Sequence, residues 1–101
     1  MKVNELENKL RELNLLNVHV RGRIKEYIDG AKIYYDNEVH NCIDVFGIYK
    51  SSDGKYCFFI TESERGGILD YLDICETEEE ACDKLLDVMS RKERIYQKKH
   101  N

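Results

Sequence analysis

The side chains that most often perform catalysis or bind metal in this sequence are four cysteines, three histidines and many carboxylates. A catalytic nucleophile needs Cys or Ser beside a histidine that a third group holds, but His19, His40 and His100 lie in no such local signature. We interpret each histidine as exposed and unpaired. Zinc ligands usually come in close pairs such as C-x-x-C, and no such pair occurs. The sequence therefore predicts no enzyme, no metal and no cofactor, although dispersed carboxylates that converge in space stay an alternative.

The carboxylates and cysteines likewise form no catalytic or metal-binding pair with close neighbours in the sequence. Asp70 and Asp73 are three residues apart on a predicted strand, so they point to opposite faces and do not form an acid–base pair within it. The acidic run at 76–80 is explained by the start of a helix. The cysteines are irregularly spaced, and three lie among strand-like apolar residues, which predicts four free thiols in a reduced compartment: Cys42, Cys57, Cys75 and Cys82.

The net charge of −4 conceals an uneven distribution. Residues 27–87 contain 15 acidic and 5 basic side chains, whereas residues 88–101 contain five basic and one acidic. The acidic middle disfavours nucleic-acid binding, which needs Lys and Arg at phosphates, and suits a basic protein partner. We interpret the basic stretch near the C-terminus as a solvated helix end.

Hydrophobic periodicity predicts one helix at each end of the chain. Residues 4–15 have apolar residues at helical spacing, with Asn4 and Glu7 as a capping box. Residues 16–26 are predicted as a linker or a short edge strand. A second capping box, Thr77 with Glu80, begins a helix that continues through residue 97.

Between these helices the pattern favours strands at 31–36, 42–50, 55–61 and 68–75, with a loop at 36–41. The second and third form a hairpin around Ser51-Ser52-Asp53-Gly54, and the third is a central strand because both its faces are apolar. We therefore predict a single α+β domain over residues 1–101. Its three- to four-stranded antiparallel sheet is flanked by an N-terminal and a C-terminal helix, with one sheet face partly open. Since no signal peptide or membrane span is visible, we expect a cytoplasmic protein without a membrane partner.

Three short motifs add a family resemblance. DGAKIYY at 29–35, an aromatic strand running into ESERGG at 62–67, and ETEEEACDKLL at 76–86 resemble small immunity proteins of bacterial polymorphic toxin and contact-dependent growth inhibition systems. The positions that carry the resemblance are Asp29, Gly30, Ala31, Glu64, Arg65, Gly66, Ala81 and Cys82. The resemblance implies a stoichiometric inhibitor that binds a cognate toxin, often a nuclease, in the producing cell. It supplies no catalytic residues.

These observations lead to one functional hypothesis and one alternative. In the first, the acidic region binds a basic toxin domain, and the predicted partner-binding residues are Asp70, Tyr71, Asp73, Glu76, Glu78 and Glu79. A structural turn precedes them, formed by Glu64, Arg65, Gly66 and Gly67. In the alternative, the chain is a regulatory or scaffold homodimer that associates through an exposed sheet face or through the late helix near Ile95 and Tyr96.

Overall fold

The computed structural model describes residues 1–40, 43–62 and 69–100. Two α-helices flank the strands, as predicted, and the class is α+β. The elements in chain order are α1 (Val3–Glu12), β1 (Asn17–Val20), β2 (Arg23–Tyr27), a 3-10 helix (Gly30–Lys32), β3 (Tyr34–Tyr35), β4 (Glu38–Val39), β5 (Val45–Lys50), β6 (Tyr56–Thr61), β7 (Leu69–Cys75) and α2 (Glu78–His100).

Helix α1 begins one residue earlier and ends three residues earlier than its apolar spacing predicts. The predicted capping box at Asn4 is wrong, because Lys2 is the N-cap and its backbone N–H donates to the Glu5 carboxylate at 2.9 Å. The helix ends before Asn14, whose φ of 57° lies in the left-handed region that Asn tolerates.

The main sheet has five strands in the order β1-β2-β5-β6-β7, so the prediction of three to four strands was too low. The sheet is also mixed, because β2 pairs with β5 in parallel while the other neighbours are antiparallel. A parallel pair needs a crossover connection, and here residues 28–44 supply it with the 3-10 helix and the β3–β4 hairpin.

The segment at 16–26 was predicted as a linker or a short edge strand; β1 is the edge strand, whereas a second strand was not predicted. The segment forms most of the β1–β2 hairpin. Its turn consists of Arg21 and Gly22, with φ of 53° and 80°, the positive pair that a two-residue hairpin turn requires. Strand β2 was not predicted because burial along it is the reverse of what its residue types suggest. Lys25 is only 2% exposed, while Ile24 is 56% exposed.

An ionic cluster explains why a lysine can be buried in β2. The Lys25 ammonium donates to Asp44 Oδ1 at 2.7 Å and to the Thr61 carbonyl at 2.6 Å. Arg23 contacts the other Asp44 oxygen at 3.1 Å. These contacts neutralise a cation that burial would otherwise make very costly, and they join β2 to β5 and β6 at the parallel junction.

The segments on either side of residue 36 differ from prediction. The expected strand at 31–36 begins as the 3-10 helix, where Asp29 Oδ1 accepts the Ala31 N–H at 3.1 Å, and only Tyr34 and Tyr35 extend. The expected loop at 36–41 contains β4, paired with β3 through a turn at Asp36 and Asn37. Residue 41 lies outside the described part of the chain.

The hairpin of β5 and β6 is confirmed, as is the central position of β6, which pairs with β5 and β7 and is buried on both faces. One face packs against α1 and α2 in the larger core, around Leu6, Phe58 and Leu85. The other face packs Cys57 and Phe59 against Ile33 of the crossover segment.

Helix α2 has 23 residues and begins after Thr77, whose hydroxyl oxygen accepts the Glu80 N–H at 3.1 Å as predicted. Glu80 Oε2 accepts from the Glu76 N–H instead of from Thr77 itself. Among residues 1–40, 43–62 and 69–100, no helix is long and apolar enough to cross a membrane.

Candidate protein-binding surface

Strand β7 is an edge strand with one apolar face in solvent. Tyr71, Asp73 and Cys75 alternate toward the helices, whereas Leu72 and Ile74 point away from them and are 44% and 59% exposed. Their cross-strand neighbours Phe59 and Cys57 pack in the core under the crossover segment, which Leu69 at the start of β7 also joins. Among the described residues, Leu72 and Ile74 belong to neither core. Leu72 and Ile74, with Asp73 on the helix-facing side of the same strand and Glu76 just beyond its end, are called the β7 surface below.

A β-bulge at the start of β7 changes the predicted geometry of its two aspartates. Tyr71 pairs with Ile60 and Leu69 with Thr61, which leaves Asp70 as the extra residue. Simple alternation does not hold across a bulge. Asp70 meets Arg21 of the β1–β2 turn at 3.1 Å. Since a flat five-stranded sheet would hold its edges about 19 Å apart, this ion pair between opposite edges requires the sheet to curl around α2.

The other predicted carboxylates also have cationic partners within the chain. Asp73 contacts Lys84 at 3.1 Å, and Glu76 contacts Lys55 at 3.2 Å. Their hydrogen bonds and charges raise the pKa of both lysines, which therefore stay protonated at neutral pH. Because exposed pairs of this kind contribute only about 0–1 kcal/mol, an incoming cation can replace these lysines at little cost.

The glutamates at the start of α2 connect the two helices. Glu78 accepts the Val3 N–H at 2.6 Å, and Glu79 contacts the Lys2 ammonium at 2.7 Å. The hydrogen bond from Lys2 lowers the pKa of Glu79. Glu78 is thus engaged in joining α1 to α2, while Glu79 keeps an exposed carboxylate.

Tyr71 is half-buried, unlike a free aromatic anchor. Its ring lies 5.2 Å from the Phe58 ring, and its hydroxyl donates to Asp73 at 3.4 Å. The predicted turn residues Glu64, Arg65, Gly66 and Gly67 lie outside the described residues, and so does Cys42. The six residues predicted to bind a partner therefore occupy one region, β7 and the start of α2, but face different directions within it.

The expectation of exposed, unpaired histidines is wrong for His19 and holds in part for the other two: His100 is exposed but stacked, and half-buried His40 has a ring Nε2 without a hydrogen-bond partner among the described residues. The His19 backbone N–H and ring both contact Glu93 Oε1, at 3.0 and 2.9 Å. The ring also stacks on Tyr96 at 3.6 Å, and His100 stacks on the same tyrosine at 4.1 Å. His40 stacks on Tyr35. The local sequence could not reveal the His19–Glu93 pair because 74 positions separate the two residues.

The thiols do not form a nucleophilic site. Cys57, Cys75 and Cys82 are free, as predicted, and buried. Burial raises the pKa of all three, that of Cys82 to about 11, so each is a neutral thiol at physiological pH. Across the described ranges, no group of three or more His, Cys, Asp and Glu side chains could hold a metal ion.

Comparison with known proteins adds no relative. No family model matches the chain, and neither curated proteins nor solved structures show a significant similarity to it.

Proposed function

We propose that the chain is an immunity protein that neutralises a cognate, basic toxin domain by binding it stoichiometrically through the β7 surface. The observation that carries the proposal is the exposed apolar pair Leu72 and Ile74 on an edge strand that also carries Asp73 on its helix-facing side and is followed directly by Glu76. The toxin part of the proposal comes from the motif resemblance.

The β7 surface combines the two features that a protein interface needs. Two adjacent aliphatic side chains supply apolar area whose burial releases water, and the carboxylates beside them steer a basic partner. Arginines of the partner would displace Lys55 and Lys84, because a guanidinium binds a carboxylate with two parallel hydrogen bonds and an ammonium does not.

The backbone of β7 offers a further means of recognition. Within the described segments no strand pairs with its outer edge. The bulge at Asp70 and the inward-pointing Asp73 protect the edge in part, but residues 71–75 keep a regular register and contain neither proline nor lysine. An extended segment of the toxin can therefore add a strand beside β7, with main-chain hydrogen bonds giving affinity and Leu72 and Ile74 giving selectivity.

Co-expression with a candidate toxin domain encoded next to the gene for this chain tests the proposal. We expect a 1:1 complex on size exclusion and restored growth of the toxin-expressing cells. The double variant Asp73→Lys/Glu76→Lys should associate at least about tenfold more slowly at low salt, with the difference shrinking as salt rises.

A matched control is available on α1. Glu7 and Glu12 also form exposed ion pairs within the chain, with Arg11 and Lys9, and Glu7→Lys/Glu12→Lys makes the same change in net charge. We expect this control to associate like the parent chain. Equal slowing in both variants would reduce the effect to net charge, and the absence of any complex or rescue would overturn the proposed function.

A further inference from the structure

A second surface of opposite charge lies between the β1–β2 turn and the end of α2. It is a groove of about 630 Å³, called the cationic groove below, with Arg21, Lys92 and Lys99 among its lining residues. Asp70 pairs with Arg21 and Glu93 with the lining residue His19, so Lys92 and Lys99 supply most of its positive charge. Its apolar part is formed by Ile24 and Ile95, which are 56% and 55% exposed. The groove thus suits an anionic ligand with aliphatic side chains.

The aromatic stack in the wall disfavours a nucleotide or a single nucleic-acid strand. His19 and His100 both stack on Tyr96, at 3.6 and 4.1 Å, so they must lie on opposite faces of its ring. Neither face is then available to a base, although base stacking on aromatic rings is what usually holds single strands. The exposed isoleucines remain, and they favour aliphatic contacts.

The chain itself carries a surface with the complementary chemistry. The β7 surface presents Leu72 and Ile74 with Asp73 and Glu76. Helix α2 shows the same separation of charge, acidic near the β7 surface and basic near the groove. Residues 78–87 contain five acidic side chains and one basic, and residues 88–100 contain one acidic side chain and five basic. An aliphatic pair with acidic neighbours on one copy therefore matches an aliphatic pair with basic neighbours on another.

We propose that the cationic groove binds the β7 surface of a second copy of this chain. Such a contact joins two different surfaces and is heterologous, so an open assembly keeps one unused groove at one end and one unused β7 surface at the other unless a ring closes. A weak interface of this kind buries about 600 Å² per copy or less, about a tenth of the 6284 Å² surface of this chain. We expect a dissociation constant on the order of 100 µM.

Two variants, each with one surface disabled, test the contact without any toxin. Lys92→Glu/Lys99→Glu reverses charge in the groove, and Ile74→Lys/Glu76→Lys removes the aliphatic and acidic character of the β7 surface. By sedimentation velocity from about 10 µM to 1 mM, we expect the parent chain to associate with rising concentration. Each variant alone should stay monomeric.

The decisive sample is an equimolar mixture of the two variants. Each retains the surface that the other has lost, so the mixture should form heterodimers and nothing larger. Arg94→Glu/Lys98→Glu is the matched control, because both side chains lie on α2 outside the groove lining and the charge change is the same. This control should associate like the parent, and circular dichroism should show that every variant is folded.

Three results would overturn the inference: a parent chain that is monomeric throughout the concentration range, a variant that still self-associates, or a mixture that forms no heterodimer. The groove variant keeps its β7 surface intact, so toxin capture by that variant reports on the proposed function separately. Self-association with failed toxin capture would therefore refute only the proposed function.

Discussion

The buried Lys25 allows a sharp test of how the sheet is held together. Its ammonium is 2% exposed and has two partners, Asp44 Oδ1 at 2.7 Å and the Thr61 carbonyl at 2.6 Å. Asp44→Asn removes the countercharge and keeps the shape of the side chain. Asparagine also tolerates the left-handed backbone of this position, where φ is 52°, so the change isolates electrostatics.

The expected loss follows from the cost of leaving a buried charge without its counterion. Removing one partner of a buried pair costs about 3–5 kcal/mol. The asparagine oxygen still accepts a hydrogen bond, and the Asp44 side chain is 21% exposed, so we expect about 2 kcal/mol, below that range. Lys25→Met removes the charge itself while filling its space, and Asp44 keeps Arg23 at 3.1 Å. This second change should cost less than about 1 kcal/mol.

Urea denaturation of the two single variants and the double variant measures the coupling. With an m-value of about 1.5 kcal/mol/M, Asp44→Asn should lower the midpoint by roughly 1.3 M in the parent chain and by little in the Lys25→Met chain.

Burial opposes ionisation of Asp44, but Lys25 and Arg23 outweigh it, so its pKa is lowered on folding. This contribution is therefore present above the unfolded pKa of about 3.9 and is lost as pH falls through the lower folded value. Equal costs of Asp44→Asn in both backgrounds, or a larger cost for Lys25→Met, would refute the reasoning.

Three further predictions concern the core and the α2 packing. Leu85 is fully buried, so Leu85→Ala should cost about 3 kcal/mol in urea denaturation, and a loss below about 1 kcal/mol would contradict this packing. A Cβ added at Gly47 would lie 2.2 Å from the Ile28 carbonyl oxygen. Gly47→Ala should therefore cost more than about 2 kcal/mol, measured as a melting temperature lowered by about 8 °C or more. An unchanged melting temperature would count against this close contact. Burial opposes ionisation of Glu93, but hydrogen bonds from the His19 backbone and ring outweigh it and lower the Glu93 pKa. Glu93→Gln should cost about 1 kcal/mol at pH 7, and its gap to the parent should close as pH falls below about 4.3, the unfolded pKa of Glu; a gap that persists at pH 2.5 in thermal melts would be inconsistent with that origin.

Local signals were sufficient for the elements that depend on neighbours in sequence. The Thr77 cap and helical spacing predicted α2, and two β-rich runs around Asp53-Gly54 predicted the β5–β6 hairpin. Strand β2 was missed because burial of Lys25 depends on Asp44, 19 positions away. Nothing in the neighbourhood of Lys25 indicates that its charge will be neutralised.

The segment that begins with Asp29 was mispredicted for a different reason. A Cβ at Gly30 would lie 2.0 Å from the Ile48 carbonyl oxygen, so the backbone of this segment packs directly against β5. Asp29 meanwhile caps the 3-10 helix. Asp29 and Gly30 thus form a capped turn fitted against a strand, and the error lies at Ala31, where the sequence pattern predicted the beginning of a strand and the 3-10 helix continues to Lys32.

The candidate surface was predictable in its location and not in its detail. Acidic composition directed attention to β7 and the start of α2, and those residues do lie together. Their cationic partners come from elsewhere in the chain, Lys55 for Glu76 and Lys84 for Asp73, and the bulge that redirects Asp70 is visible only in the register with β6. The exposure of Leu72 and Ile74 also depends on tertiary structure, because among the described residues the crossover segment packs on Phe59 and not on these two side chains.

The charge pattern of α2 exceeds what the helix requires for its own stability. The macrodipole favours acidic residues in the first turn and basic residues in the last, and its effect fades beyond those turns. The interior of α2 also contains charged residues, namely Asp83, Asp87, Arg91 and Arg94. There, opposite charges placed four residues apart would stabilise the helix better than an acidic block followed by a basic block. Only Asp87 and Arg91, at the boundary of the blocks, form such a pair. Because α2 lacks these pairs along most of its length, its first half has a negative and its second half a positive electrostatic potential. The two proposed interactions, with a basic toxin and with an acidic surface, require this separation of charge.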